Sequence, residues 1–196
     1  MTYISPLNEV HKKGLYGDYE EKSEKDLIKI SDIKNNSIFQ IVKYDKTDNA
    51  LENLSVDGLK FPDRVLQVES NGNTRILWQS PMNWLVISKK KQNELMEELK
   101  KFESTTYAIT DLTHSRTCIE LEGSNVFEVL KKGCPFNISE LKTNNSVNSI
   151  FNGITITIDV LDEKNEKVRI YSLRSFGESL YHSVTDASLE FGYKNI

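Results

Sequence analysis

The chain has 196 residues, 38 % hydrophobic and 28 % charged, with a formal net charge of −4 and a mean hydropathy of −0.48. That suffices for one domain, or a pair of similar lobes, with a real core and a very polar surface. A net negative charge argues against nucleic acid as a general partner, because backbone binding needs clustered cation excess, although a local basic patch stays open. No stretch approaches the roughly 18 apolar residues of a membrane span, and Met1 to Lys13 lacks an apolar export core. A cytoplasmic address without membrane contact is therefore expected, with Cys118 and Cys134 as reduced, unpaired thiols.

Residues 1–36 combine dense charge with scattered apolar positions, and read as an extended N-terminal arm anchored on another surface through Leu7, Val10, Leu15 and Tyr16. Ile38 to Tyr44 is a β-rich run ending in a turn at 45–49, followed by a short helical piece at 50–54. Arg64 to Glu69 alternates at period 2, and Asn71-Gly72-Asn73 turns it into a return strand, Thr74 to Gln79. Trp84 to Ile87 forms another strand. The run Lys89-Lys90-Lys91 then reads as the solvated start of a helix carrying Leu95, Met96, Leu99 and Phe102 on one stripe.

The same grammar repeats. Ala108 to Leu112 and Arg116 to Leu121 are predicted strands. Gly123-Ser124-Asn125 opens a helix with Val126, Phe127, Val129 and Leu130, and Gly133 as a left-handed cap and Pro135 as breaker stop it. A loop rich in Asn and Ser, 143–149, precedes the strand Ile154 to Val160, which turns at 162–167 into Val168 to Tyr171. Ser175 and Glu178 have capping-box spacing at the head of a helix running to Gly192, with Phe176, Leu180, Tyr181, Val184, Ala187 and Phe191 on its core side. The expected fold class is α+β: two tandem similar α/β lobes, about 37–104 and 105–196, with antiparallel hairpins and closing helices.

Catalytic chemistry is sparse. His11, His114 and His182 form no ligand pair, so no metal site is expected, and neither G-x-G-x-x-G nor G-x-x-x-x-G-K-[ST] occurs. Asp111 to Thr117 is the densest polar cluster, read as a turn between strands rather than a triad. Cys134 beside a helix end reads as a packed thiol, Trp78 and Trp84 as sheet plugs, and Arg174 as a partner contact or local ion pair.

The segments Asp111-Leu112-Thr113-His114-Ser115-Arg116-Thr117, Lys132-Gly133-Cys134-Pro135-Phe136, Arg174-Ser175-Phe176 and Asp186-Ala187-Ser188-Leu189-Glu190-Phe191-Gly192 resemble, in this order, the gamma subunit of heterotetrameric sarcosine oxidase. Ser5-Pro6-Leu7 and Thr74 to Leu85, with its Pro81 turn and Trp84, fit that family's arm and its strand-turn element, so the likeness spans nearly the whole chain. The resemblance implies a fold like the folate-binding aminomethyltransferases. It also implies a complex that oxidises sarcosine to glycine, forming peroxide and passing the one-carbon unit to tetrahydrofolate. FAD, FMN, NAD, tetrahydrofolate and zinc are then expected in the partner alpha, beta and delta subunits and none in this chain. Its role is expected to be non-catalytic, packing against alpha. Leu7, Val10 and Leu15 are the arm's contact candidates; His114, Arg116, Cys134, Pro135, Arg174 and Phe176 either shape the lobe junction or meet alpha. No catalytic, cofactor-binding or metal-binding residue is assigned.

Two alternatives stand beside this. One is a stand-alone folate-binding one-carbon or iron–sulfur-repair protein of the same superfamily, to which Lys132-Gly133-Cys134 is similar, although Pro135-Phe136-Asn137-Ile138 breaks the folate-linked continuation. The other is an adaptor for an oxidase of dimethylglycine or another N-methyl amine.

Overall fold

A computed structural model describes residues 4–44, 55–102 and 106–196. In chain order its elements are β1 (Gly14–Tyr16), β2 (Ile28–Asp32), β3 (Ser37–Lys43), β4 (Ser55–Val56), β5 (Leu59–Lys60), β6 (Val68–Ser70), β7 (Thr74–Ser80), β8 (Asn83–Ser88), α1 (Gln92–Leu99) and β9 (Tyr107–Asp111). There follow β10 (Arg116–Glu122), α2 (Val126–Lys131), β11 (Ser146–Phe151), β12 (Ile154–Asp162), β13 (Lys167–Leu173), α3 (Gly177–Ser188) and β14 (Tyr193–Asn195). They divide into a unit of residues 35–114 and a unit of residues 1–34 with 115–196. The turn expected at 45–49, the helix at 50–54 and the side chain of Phe102 lie outside the described residues.

In the unit 35–114, a sheet of order β6-β7-β8-β3-β9 packs its alternate residues Phe39, Ile41, Ile76, Trp84 and Val86 with Leu95 and Leu99 of α1. The Trp84 indole N–H donates to the Pro62 carbonyl at 2.8 Å, so this buried polar atom is satisfied. Asp57-Gly58, both at positive φ, turns the small hairpin β4–β5. The Asp57 carboxylate meets Lys90 at 2.6 Å and accepts from the Thr74 hydroxyl at 2.7 Å, while Lys90 also meets Glu98 of α1 at 3.0 Å. Lys90 is thus a three-way tie, and not part of a solvated run. Its proximity to two carboxylates in tertiary space, invisible in the local sequence, makes the difference.

The unit of 1–34 and 115–196 has a sheet of order β1-β14-β2-β10-β13-β12-β11. Only the β14–β2 pair in it is parallel. The N-terminal segment is no mere arm here. Ile28 and Ile30 alternate with Lys29 and Ser31, and Leu7, Leu27, Ile28 and Ile30 are fully buried, so β2 enters the interior of the sheet between β14 and β10. Two glycines let the termini close. Gly17 and Gly192 both have positive φ, and a Cβ on Gly17 would strike the Leu189 backbone while one on Gly192 would strike the Asp18 carbonyl. The bonds Asp18 N–H to Leu189 O (2.8 Å) and Ile28 N–H to Gly192 O (3.2 Å) hold the contact.

Several local expectations change. β9 pairs with β3 and joins the first unit, moving the division from 104/105 to 114/115. Val65 is exposed and Leu66 has positive φ, so that strand starts only at Val68. The 143–149 loop gives way at Ser146 to β11, which pairs with β12 across Asn152-Gly153, both at positive φ. Gly133 is not left-handed; it is small because a Cβ there would lie 2.7 Å from the Phe151 ring. Ser175 caps nothing: α3 starts at Gly177 after a 3₁₀ turn, with Phe176 at the N-cap and no side-chain cap bond.

Gly192→Ala is expected to lower unfolding stability by about 2–3 kcal/mol, combining left-handed strain with a backbone clash, and urea denaturation measures it. In the other unit, the Lys90 and Thr74 hydrogen bonds hold the Asp57 carboxyl at about 2, against an ordinary 3.8. A depressed carboxyl contributes stability above its unfolded value and loses it as pH falls through its folded one. Asp57→Asn should therefore flatten the loss of stability between about pH 4 and pH 2, read from denaturation midpoints across that range.

Candidate partner interface

β10 and β13 run antiparallel with Arg116 opposite Leu173, Cys118 opposite Tyr171 and Glu120 opposite Arg169. Strand alternation puts these side chains on one face and Thr117, Ile119 and Leu121 on the other. The second face meets α3, whose Gly177 lies against the Thr117 hydroxyl.

On the face away from α3 the charges pair across strands. The Arg169 Nε donates to Glu120 at 2.8 Å, Lys167 reaches Glu120 at 3.1 Å and Glu122 at 2.6 Å, and Lys29 of β2 reaches Glu122 at 3.3 Å. Fully buried Asp159 of β12 stands opposite Arg169. Burial works against the Arg169 charge, but the acidic groups around it, with the Glu120 carboxylate bonded directly to it, raise its pKa and keep the guanidinium protonated. Hydrogen bonding to Lys167 holds the Glu122 carboxyl below its ordinary range. Complete burial pushes the Cys118 thiol up to about 12, so it is no nucleophile at neutral pH.

Arg116 ends this row differently. Its cross-strand neighbour is Leu173, and among the described residues no carboxylate reaches its guanidinium. It is half-buried, and burial lowers its pKa. Beside it the Arg174 side chain donates to the Ile4 carbonyl, and the Arg174 N–H donates to Ser115 O at 2.9 Å. Ile4, Leu173 and Phe176 are exposed by 66 %, 46 % and 47 %. Exposed large apolar side chains of this kind are candidates for a contact surface.

Of the sequence candidates, Arg116 starts β10, and Arg174 and Phe176 lie in the 3₁₀ turn between β13 and α3. Leu7 is fully buried in its own unit and offers nothing to a partner, Val10 is half-buried, and Leu15 lies partly exposed on the edge strand β1. Cys134 is buried, with its thiol pushed up to about 11, and Pro135 beside it is exposed. His114 is exposed in the other unit, at a turn where Asp111 accepts the Thr113 N–H at 2.9 Å and a bond from Gln92. Asp111 is thereby committed to holding the turn. The residues missed from sequence are Lys29, Glu120, Glu122, Lys167 and Arg169. Their signal was the charge at alternate positions of two strands, readable only once the register is known.

Among the cavities of this unit are two lined largely by polar side chains. One, of about 490 Å³, is lined by Lys25, Lys29, Glu122, Ser124, Lys164 and Lys167, and its Lys29 and Lys167 already bond Glu122. The other, of about 540 Å³, includes Asn152, His182, Asp186, Leu189 and Tyr193. Among the described residues no three His, Cys, Asp or Glu side chains come together as metal ligands, and no helix is long and apolar enough to cross a membrane.

The fold is shared with a chain of heterotetrameric sarcosine oxidase from Corynebacterium sp. U-96, solved with pyrrole 2-carboxylate. The TM-score is 0.81 at 20 % identity, covering 96 % of this chain and 95 % of that one. It is also shared with the glycine cleavage system aminomethyltransferase T of Bartonella henselae, at a TM-score of 0.68 and 16 % identity, covering 97 % of this chain and 58 % of that one. No curated protein matches the sequence. These likenesses define a mixed α/β protein of aminomethyltransferase-like fold. Residues 45–190 match the model of the sarcosine oxidase, gamma subunit family, and the chain belongs to that family.

Glu120→Ala strips Arg169 of its closest carboxylate and should cost about 3–5 kcal/mol. The loss is read as a fall in the urea denaturation midpoint against wild type.

Proposed function

We propose that this chain is a non-catalytic gamma subunit that stabilises the alpha subunit of a heterotetrameric sarcosine oxidase, with beta and delta completing the assembly. The observation that carries the reading is the family match over residues 45–190. The fold match, which runs nearly the full length of both chains, supports it. In this reading the complex oxidises sarcosine to glycine, reduces oxygen to peroxide and passes the one-carbon unit to tetrahydrofolate. FAD, FMN, NAD, tetrahydrofolate and zinc reside in partner subunits, and this chain supplies packing surface. The sequence supports that division, since it carries neither of the glycine-rich phosphate loops a nucleotide cofactor would need. Neither cysteine is an available thiolate, because burial raises both thiols far above neutral pH.

The segment shared with the repair proteins is engaged in structure. Lys132 donates to the Ala187 carbonyl at 2.6 Å, pairs with Glu190 at 2.7 Å and lies 4.7 Å over the Phe191 ring. Gly133 abuts Phe151, and Cys134 is buried. Each of the three therefore has a packing role, which favours the subunit reading over a stand-alone folate protein.

Affinity capture of the tagged chain from its native cells should yield a yellow complex with three further chains and sarcosine-dependent peroxide release. A colourless lone chain that binds tetrahydrofolate would overturn the reading in favour of the stand-alone protein.

A further inference from the structure

We propose that Asn152 is a site of spontaneous covalent modification, losing its side-chain amide through attack by the Gly153 backbone nitrogen, while the fold protects Asn71 from the same reaction. Asn71 and Asn152 are the two asparagines of the chain that precede a glycine. With no Cβ beside it, a glycine nitrogen is the least hindered main-chain nucleophile.

The chemistry closes with water as the one co-reactant. The Gly153 nitrogen gives up its proton and bonds to the Asn152 side-chain carbonyl carbon. The bond from that carbon to the side-chain nitrogen breaks, and ammonia leaves with the proton. Water then opens the resulting five-membered imide at either carbonyl. One opening leaves an aspartate, and the other leaves an isoaspartyl link in which the main chain runs through the former side chain. Nothing is oxidised or reduced.

The two sites share a sequence and differ in how the fold holds them. Asn152 and Gly153 make the two-residue turn between β11 and β12, and both are exposed. The Asn152 N–H donates to the Gly133 carbonyl at 3.1 Å, but its side chain has no hydrogen-bond partner among the described residues. A Cβ on Gly153 would meet nothing within 4 Å, so open space surrounds the attacking residue. The turn also lies at the end of β11, the outermost strand of its sheet, where opening disturbs one neighbouring strand and no second one.

Asn71 is exposed as well, yet its amide is tied at both ends. Its Oδ1 accepts from the Asn73 N–H at 3.0 Å and the Thr74 N–H at 2.8 Å, and its Nδ2 donates to the Asp57 carbonyl at 2.8 Å. The Gly72 N–H donates to the Ser70 hydroxyl oxygen at 3.4 Å, and the Gly72 carbonyl accepts from Lys89 at 2.9 Å. The side-chain carbonyl must swing onto the following nitrogen for the ring to close, and at Asn71 that motion breaks these bonds first.

The product changes its surroundings. Asn152 lines a cavity with His182 and Asp186, so a carboxylate there adds a second negative charge to that lining. An isoaspartyl link lengthens the main chain of a two-residue turn, whose length fixes the register of β11 on β12.

The test incubates the full-length chain in mildly alkaline buffer at physiological temperature and follows both sites by peptide mass mapping, with chromatography separating aspartyl from isoaspartyl products. Asn152 should convert about tenfold faster than Asn71 or more, given the bonds that hold Asn71. In a urea-unfolded sample the two rates should approach each other, because the sequences at the reacting bond are the same. Asn152→Gln, whose longer side chain closes a ring poorly, should abolish conversion at that position and leave Asn71 as slow as before. Equal rates at the two sites in the folded chain, or conversion at Asn152 only after unfolding, would overturn the assignment. So would a rate ratio that unfolding leaves unchanged, since the difference would then come from local sequence and not from the fold.

Discussion

The cross-strand pairing of charges on β10 is the constraint around which the larger unit is organised. Glu120 is buried on this sheet face, where an isolated charge is costly and a paired one is tolerable, and Glu122 beside it is partly exposed. Arg169, Lys167 and Lys29 meet them only if β13 and β2 adopt one particular register against β10. A slip by one residue would turn the glutamates toward α3 and put Ile119 and Leu121 in their place. The apolar and ionic faces thus enforce the same alignment from opposite sides. That alignment also leaves Arg116 beside Leu173 at the end of the row.

The ends of the chain depend on the same sheet. The family match covers residues 45–190, whereas β1, β2 and β14 lie outside it and still complete the sheet beyond β10. β2 supplies Lys29 to the charge row and Ile28 and Ile30 to the opposite core, so it belongs to both faces at once. β14 can run parallel to β2 because it arrives after α3, a long connection of the kind parallel pairing requires. Gly17 and Gly192 permit the close backbone approach that locks the segment after β1 to the segment before β14.

The residues that a catalytic reading would single out are committed to structure: Asp111 to a turn, Cys118 and Cys134 to buried positions, Lys132 to Ala187, Glu190 and Phe191. Among the described residues, Arg116 is half-buried and no carboxylate reaches its guanidinium.

Local sequence determined the elements whose signals are periodic: the strands around Phe39, Ile76, Val86, Ile119, Ile158 and Ile170, and the core stripe of α3 with Leu180, Tyr181, Val184 and Ala187. It also held Arg116, Arg174 and Phe176 as contact candidates. It did not show β2 or β11, because a half-polar strand among charged or Asn-rich neighbours is disfavoured by composition and stabilised only by the strands it joins. The left-handed cap at Gly133 and the Ser175 capping box failed for the same reason: packing against Phe151 and Thr117 outweighed local geometry. Which charges meet across strands and between distant segments was decided by tertiary structure alone. Lys90 joins Asp57 and Glu98, and Glu120 joins Arg169, across separations in sequence that no local pattern encodes, since pairing energy depends on register and burial and these exist only once the sheets have formed.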